Sequence, residues 1–414
     1  MEKLLFLLCM IFNLISCSNE KSLKTYPIID VVNNLGNYQK VYCSDIFSSI
    51  ELIPLETSEA CLLDIVPYPT LLFKDGLIFM SGNHRLYAFD RTGKFLNQIG
   101  ERGQGPGEYQ YTSDVFFDSD KLSIYIEDMH KIIEYDFTGK YIRSFPIPII
   151  DGEPLSICSY VGDNVFIGEI QYNGKNKYKY FLFNQYGDTI KCFPNHIFFD
   201  RVRPFASNFG VAKAPMRVNN LLFLKDNVND TIYVLSDSTL QPAFVFGLGK
   251  YTFPKEYLEN HEKFQLLQNA ITFTTIMGMP NYFFYRTVLP ESFSGPKSKP
   301  VYNYITNQYS SSDRAVYGLY NIKKNTNILL DSDEYLQKGF INDINGGLSI
   351  IPRFYVGNNI VVDVWYPEEM KEMLTEEYFA NQKIKDSHAH QKLKEILKNL
   401  KEDDNPVVVV AKLK

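Results

Sequence analysis

Leu86-Tyr-Ala-Phe-Asp-Arg-Thr-Gly-Lys-Phe-Leu-Asn-Gln-Ile99, Ile132-Ile-Glu-Tyr-Asp-Phe-Thr-Gly-Lys-Tyr-Ile-Arg-Ser-Phe145 and Tyr180-Phe-Leu-Phe-Asn-Gln-Tyr-Gly-Asp-Thr-Ile-Lys-Cys-Phe193 are three copies of one pattern. Each alternates apolar and polar residues, turns at a glycine, and alternates again. That is a strand, a tight turn and a strand. Gly93, Gly139 and Gly187 supply the positive φ that such turns need, and they stand 46 and 48 residues apart. A period of 40 to 50 residues is the mark of propeller blades. Weaker copies follow at Thr231–Ser238 and, delayed by an insertion, at Ala315–Asn321.

A second pair of strands precedes each hairpin. Leu71-Leu-Phe73 with Leu77-Ile-Phe-Met80, and Val115-Phe-Phe117 with Leu122-Ser-Ile-Tyr-Ile126, are the clearest examples. Four strands per repeat make a blade. Counting near residues 65–100, 111–147, 155–194, 208–250, 266–331 and 339–366 predicts an all-β, six-bladed β-propeller over residues 46–414. A ring of blades must close, and Ile50–Leu55 and Val407–Val410 read as strands from the two ends of the chain that complete one blade together. The 29 Tyr and 31 Phe in 414 residues fit this body, because aromatic side chains suit a pleated, half-buried surface.

Two stretches break the β pattern. Pro254 opens a helical insertion over about 254–270, and Pro367 opens a longer helix running to about 403. In the latter, Leu393, Ile396, Leu397 and Leu400 form one apolar stripe. Such a stripe normally packs against the body of its own domain.

The first residues read as an address. Lys3 precedes an apolar run, Leu4 to Ser16, that is too short to span a bilayer but suits a signal peptide. Leu14-Ile-Ser-Cys17 resembles the lipobox of bacterial lipoproteins, which implies lipidation at Cys17 and attachment to a membrane without spanning it. Residues 1–17 are thus a lipoprotein signal peptide, and 18–45 a polar tether. Ser18 after the lipidated position resembles outer-membrane sorting, with either the periplasmic face or the cell surface open. Cys43, Cys61, Cys158 and Cys192 lack metal-ligand spacing and read as small buried hydrophobes, their disulfide state undetermined.

The fragment Gly100-Glu-Arg-Gly-Gln-Gly-Pro-Gly-Glu-Tyr109, the Asp-x-Thr-Gly-Lys turns, the opening Glu51-Leu-Ile-Pro-Leu-Glu56 and the closing Asn405–Lys414 together carry a family resemblance. The chain resembles the six-bladed β-propeller lipoproteins of Gram-negative anaerobes, which are similar to NHL-repeat propellers. The resemblance covers about residues 45–414, strongly over the first two blades and weakly over 200–340. It implies the fold, and it implies no reaction and no catalytic residues.

In a propeller the crossings between blades and the turns between second and third strands emerge at one end. That topology groups His84, Arg85, Arg102, Gln104, Glu108, Asp128, His130 and Lys131 on a candidate ligand face. His84 and His130 occupy equivalent places in neighbouring blades, but a pair without a third ligand does not make a metal site. The glycine-rich loop lacks the Lys-Ser/Thr of a phosphate loop after Gly107 and runs into a strand, so its glycines serve turns. Net charge is −6 and no basic stripe exists, which argues against nucleic acid. Neither a G-x-S-x-G elbow nor an H-E-x-x-H helix occurs, and no metal or cofactor is implied.

These features favour a cell-envelope lipoprotein that uses a propeller as a non-catalytic scaffold for a glycan, peptide or protein. The alternative is a propeller enzyme, a metal-dependent hydrolase, lactonase or lyase, with an acidic site at the central channel. Three or more buried Asp, Glu, Asn or His clustered there would mark it.

Overall fold

The computed structural model describes residues 26–414 apart from 64–70, 75, 83, 113, 119–120, 171–173, 201–215, 219–220, 226–227, 237, 296–301, 304–307, 310–313 and 333–336. The signal peptide and Cys17 lie outside the described residues.

Six antiparallel sheets follow one another along the chain as six blades. Blade 1 is Leu71–Lys74, Leu77–Gly82, Arg85–Phe89 and Phe95–Ile99, and blade 2 is Asp114–Asp118, Ser123–Asp128, Lys131–Asp136 and Tyr141–Pro146. Blade 3 is Ser156–Gly162, Val165–Glu169, Tyr178–Asn184 and Thr189–Pro194. Blade 4 is Met216–Val218, Leu221–Leu224, Thr231–Ser236 and Thr239–Gly247, and blade 5 is Thr272–Met279, Tyr282–Val288, Ala315–Asn321 and Thr326–Leu330.

Blade 6 is built from both ends of the chain. Phe354–Tyr355, Ile360–Trp365 and Val407–Leu413 are joined by Phe47–Pro54 as the outer strand, with Glu51 opposite Val410. The run Val407-Val-Val-Val410 does not alternate because it is flanked by a strand on each side and by a blade on each face.

The core is therefore divided into layers between neighbouring blades. Along one strand the side chains point alternately to the two neighbours. Leu86 and Ala88 pack toward blade 2, with Ile124, Ile126 and Tyr135, whereas Tyr87 and Phe89 pack toward blade 6, with Val362 and Val408. Ile133 and Tyr135 face blade 1, and Ile132 faces Phe166 and Phe181 of blade 3. Each such side chain contributes roughly 1.5–3 kcal/mol when fully buried.

Two expectations are corrected. Residues 26–45 are not a tether. Ile28–Asp30 adds a parallel fifth strand to the outer edge of blade 4, and Tyr38–Gln39 does the same on blade 5. Ile29 and Val31 are completely buried, and the Asn327 amide donates to the Asp30 carbonyl at 2.7 Å. This strap continues through Cys43–Ile46 into the outer strand of blade 6. The long helix after Pro367 is three short ones, Pro367–Met373, Glu376–Ala380 and Ser387–Asn399. Thr375 and Asp386 break it, because each side chain accepts from a backbone N–H and starts a new helix, those of Tyr378 and Ala389.

The apolar stripe of the last helix packs as expected, Leu393 and Leu400 entering the layer between blades 5 and 6. The insertion after Pro254 is a turn of α-helix, Lys255–Glu259, followed by the 3-10 segment His261–Asn269. Cys43, Cys61, Cys158 and Cys192 are free thiols, and burial pushes the Cys43 and Cys158 thiols well above their ordinary range.

Candidate ligand-binding face

The chain leaves blade 1 at Ile99 and reaches blade 2 at Asp114 through the glycine-rich crossing. Short parallel pairing of Glu101–Arg102 with Glu108–Tyr109 folds this crossing back on itself. The Glu108 carboxylate accepts from the Gly105 N–H at 2.7 Å, and the Gly103 N–H donates to the Tyr109 carbonyl at 2.9 Å. Tyr109 is fully buried; its hydroxyl donates to the Ile99 carbonyl at 2.9 Å and accepts from the Leu86 N–H at 3.2 Å. Burial pushes that phenol up to about 12. Gly107 has φ +75, and a Cβ there would lie 2.7 Å from the Tyr141 ring, so neither its backbone nor its surroundings tolerate a side chain. The loop is a packed connection between blades, and its glycines serve turns and close approaches.

The hairpin of blade 2 clamps this loop from the other side. Lys131 Nζ donates to the Glu108 carbonyl at 2.8 Å and lies 3.8 Å from the Asp128 carboxylate. Asp128 in turn accepts from the backbone N–H groups of Gln110 and Tyr111, both at 3.2 Å. Glu108, Asp128 and Lys131 thus meet in one knot. His84 joins it through Tyr111, whose ring it meets edge-on at 5.6 Å. His130 sits in the tight turn beside Asp128, where its carbonyl accepts from the Ile147 N–H at 2.8 Å. Arg85 starts the third strand of blade 1, exposed, beside the hydroxyl of Tyr87. Arg102 and Gln104 are exposed on the crossing.

Sequence reading picked out the charged members and missed two apolar ones. Tyr111 is 44% exposed, and Met129 is 53% exposed with φ +52. Met129 is the first residue of a two-residue hairpin loop, between the paired Asp128 and Lys131. Glycine is the ordinary occupant of a left-handed position there. A methionine between two strand ends was the available signal.

Acidic groups are also buried within the blades, and Glu127, Glu169, Asp118 and Asp363 each have a partner. Glu127 accepts from the Cys158 N–H of the next blade at 2.9 Å, and Glu169 lies 3.4 Å from Lys179. Asp118 accepts from the Tyr160 hydroxyl, burial and then this bond push that phenol up to about 12, and Arg217 donates to the Tyr160 and Val161 carbonyls. On blade 6, Arg353 donates to Asp363 at 2.8 Å, and Glu369, on the adjoining helix, is pushed by burial to about 7. Among the described residues no three of His, Cys, Asp and Glu are placed to hold a metal ion.

A family model described as "Domain of unknown function (DUF4934)" matches residues 26–412. Among solved structures, the chain is similar to a Bacteroides fragilis NCTC 9343 protein named as an exported one. That likeness has a TM-score of 0.63 and 18% identity, over 94% of this chain and 99% of that one. It is also similar to a member of the DUF4221 family from Bacteroides vulgatus ATCC 8482, with a TM-score of 0.50 and 12% identity, over 89% and 97%. At these identities the likeness speaks for the fold. No curated protein matches.

Proposed function

This chain belongs to the DUF4934 family, and we propose on that premise that it is a non-catalytic binding scaffold of the cell envelope. On this reading it is an NHL-repeat-like propeller lipoprotein, held at the outer membrane through a lipidated Cys17. The face around the first crossing takes a glycan, peptide or protein ligand. One observation carries the binding reading. The carboxylates of Asp128 and Glu108 are engaged by backbone N–H groups, so of the residues predicted for this face those turned to solvent are His84, Arg85, Arg102, Gln104 and His130. They sit on loops held by buried hydrogen bonds, and a rigid scaffold carrying exposed loops is the usual arrangement for recognition.

Support for the envelope comes from the leader sequence and from the name of the Bacteroides fragilis relative. No helix among the described residues is long and apolar enough to cross a membrane. Two measurements test the reading. Cys17→Ser is expected to move the protein from the membrane to the soluble fraction of lysed cells, and retention in the membrane sinks the anchor. Reversing Arg102 to Glu is expected to weaken capture of the partner from envelope extracts, whereas Lys94→Glu and Lys140→Glu on the Thr-Gly-Lys turns leave it unchanged. Equal losses from all three refute the assigned face.

A further inference from the structure

We infer that the strip from His84 through Tyr111, Met129 and His130 to Ile149 docks a polypeptide segment that presents an apolar side chain beside carboxylates. This rests on the ligand face proposed above and names its occupant.

The loops that carry the strip are tied to one another. His84 touches the Tyr111 ring, the Tyr111 backbone is held by Asp128, and Met129 and His130 follow Asp128 in the chain. The His130 carbonyl then binds Ile147, two residues before Ile149. Tyr111, Met129 and Ile149 are 44, 53 and 65% exposed. A run of exposed apolar side chains across neighbouring loops marks an interaction site.

Met129 adds a second observation. Its φ of +52 is strained for a side chain with a Cβ, and glycine or asparagine would relieve it. Leu122, in the turn between the first two strands of blade 2, is likewise exposed with φ +55, so strain counts here only because Met129 shares its face with the exposed Tyr111 and Ile149.

Chemistry selects the occupant. Tyrosine, methionine and arginine are the residues enriched where proteins meet proteins. Met129 and Ile149 offer aliphatic surface, with little for the hydroxyls of a glycan. The Asp128 carboxylate, which could take sugar hydroxyls, is buried, with Oδ1 shared by two backbone amides and Oδ2 facing Lys131. Arg85, next to His84, and Arg102, on the crossing, are exposed, opposed by the exposed Glu101, and Lys131 is half-buried next to His130. Asp151 and Glu153, both exposed, stand at the other end beyond Ile149. The strip is polar along its length, so a segment would lie with its carboxylates over Arg85 and Arg102 and its apolar anchor over Met129 and Tyr111.

The test uses a displayed library of random twelve-residue peptides selected on the immobilised protein, with an acidic oligogalacturonide as a separate probe. Enriched peptides are expected to carry Phe, Leu or Met within a few residues of Asp or Glu. Their affinity should fall about tenfold in Met129→Gly and in Tyr111→Ser, as for anchors at the centre of an interface. Met129→Gly suits the left-handed turn and is expected to melt no lower than the parent, which separates lost binding from lost fold. Enrichment without that signature, or undiminished binding by both variants, overturns the inference. If the oligogalacturonide alone binds, and Arg102→Glu abolishes it, the polypeptide falls and the ligand face stands. If neither probe binds, both fall.

Discussion

A Cβ placed on Gly93 would lie 2.0 Å from the carbonyl oxygen of Pro54. Gly93 is the turn glycine of blade 1, and Pro54 ends the outer strand of blade 6, so the turn that announces a hairpin in the sequence is also where blade 1 docks on the closing blade. The Glu56 N–H completes the contact by donating to the Gly93 carbonyl at 2.8 Å. Gly139 and Gly187 repeat the relationship, facing the Gln98 and Pro146 carbonyls of the blades before them. The glycine of the repeat is required by φ and by proximity at once.

These two demands are separable. Gly152 has φ +85 and nothing within 4 Å of a Cβ, so Gly152→Ala should cost only the left-handed strain, about 1–2 kcal/mol. Gly93→Ala has φ +87 and the Pro54 carbonyl in the way. It should cost clearly more, because the blades must also move apart. Thermal melts of the two variants decide it, and equal losses would mean that the turn gives way without cost.

Strand pairing between the two ends of the chain completes the last blade. Deleting Asn405–Lys414 removes Val407–Leu413, the strand between Ile360–Trp365 and Phe47–Pro54, and leaves both of its neighbours with open edges. Aggregation or a lower, broader melt is expected by light scattering and calorimetry. A cooperative melt at the parent temperature would show that the strand is dispensable.

Glu369 gives stability a pH dependence of known sign. Its carboxyl is raised from about 4.5 to about 7 by burial, the nearby Arg353 lowering it only in part. The folded state therefore holds a proton that the unfolded state has released, and this group's contribution is lost as pH rises through that window. Glu369→Gln should melt above the parent at pH 8, with the difference vanishing near pH 4. A difference independent of pH would show that folding leaves the Glu369 carboxyl at its ordinary value.

Much of this was legible in the sequence, for physical reasons that also mark where legibility ends. The hairpins of blades 1 to 3 show because period-two alternation and a turn glycine are both local, and the closing strands show because Val407–Val410 is too apolar for a surface. The strap does not show. Ile28–Asp30 and Tyr38–Gln39 are too short to display a period, and the asparagines between them read as loop. The stripe on the last helix was legible, but the caps at Thr375 and Asp386 act through single side-chain bonds that a hydrophobic pattern ignores. At the candidate site, topology placed the charged residues together, while Tyr111 and Met129 stayed hidden because exposure is not written in residue type.

The knot around Asp128 should hold the ligand face in shape independently of the blades. Its carboxylate is buried, accepts two backbone N–H groups of the crossing and faces Lys131. Asp128→Ala leaves those amides without their acceptor, at a cost of about 1–3 kcal/mol. It also frees Lys131, whose bond to the Glu108 carbonyl then stands alone. Because Tyr109 remains anchored to Ile99 and Leu86, the loss should be local, loosening Gln110 and Tyr111 while the blade core stays protected. Hydrogen exchange resolved by residue is the measurement. Faster exchange at Gln110 and Tyr111 with unchanged protection at Ile124 and Ile133 is expected. Uniform acceleration across blades 1 and 2 would mean that the knot supports the fold and not the face alone.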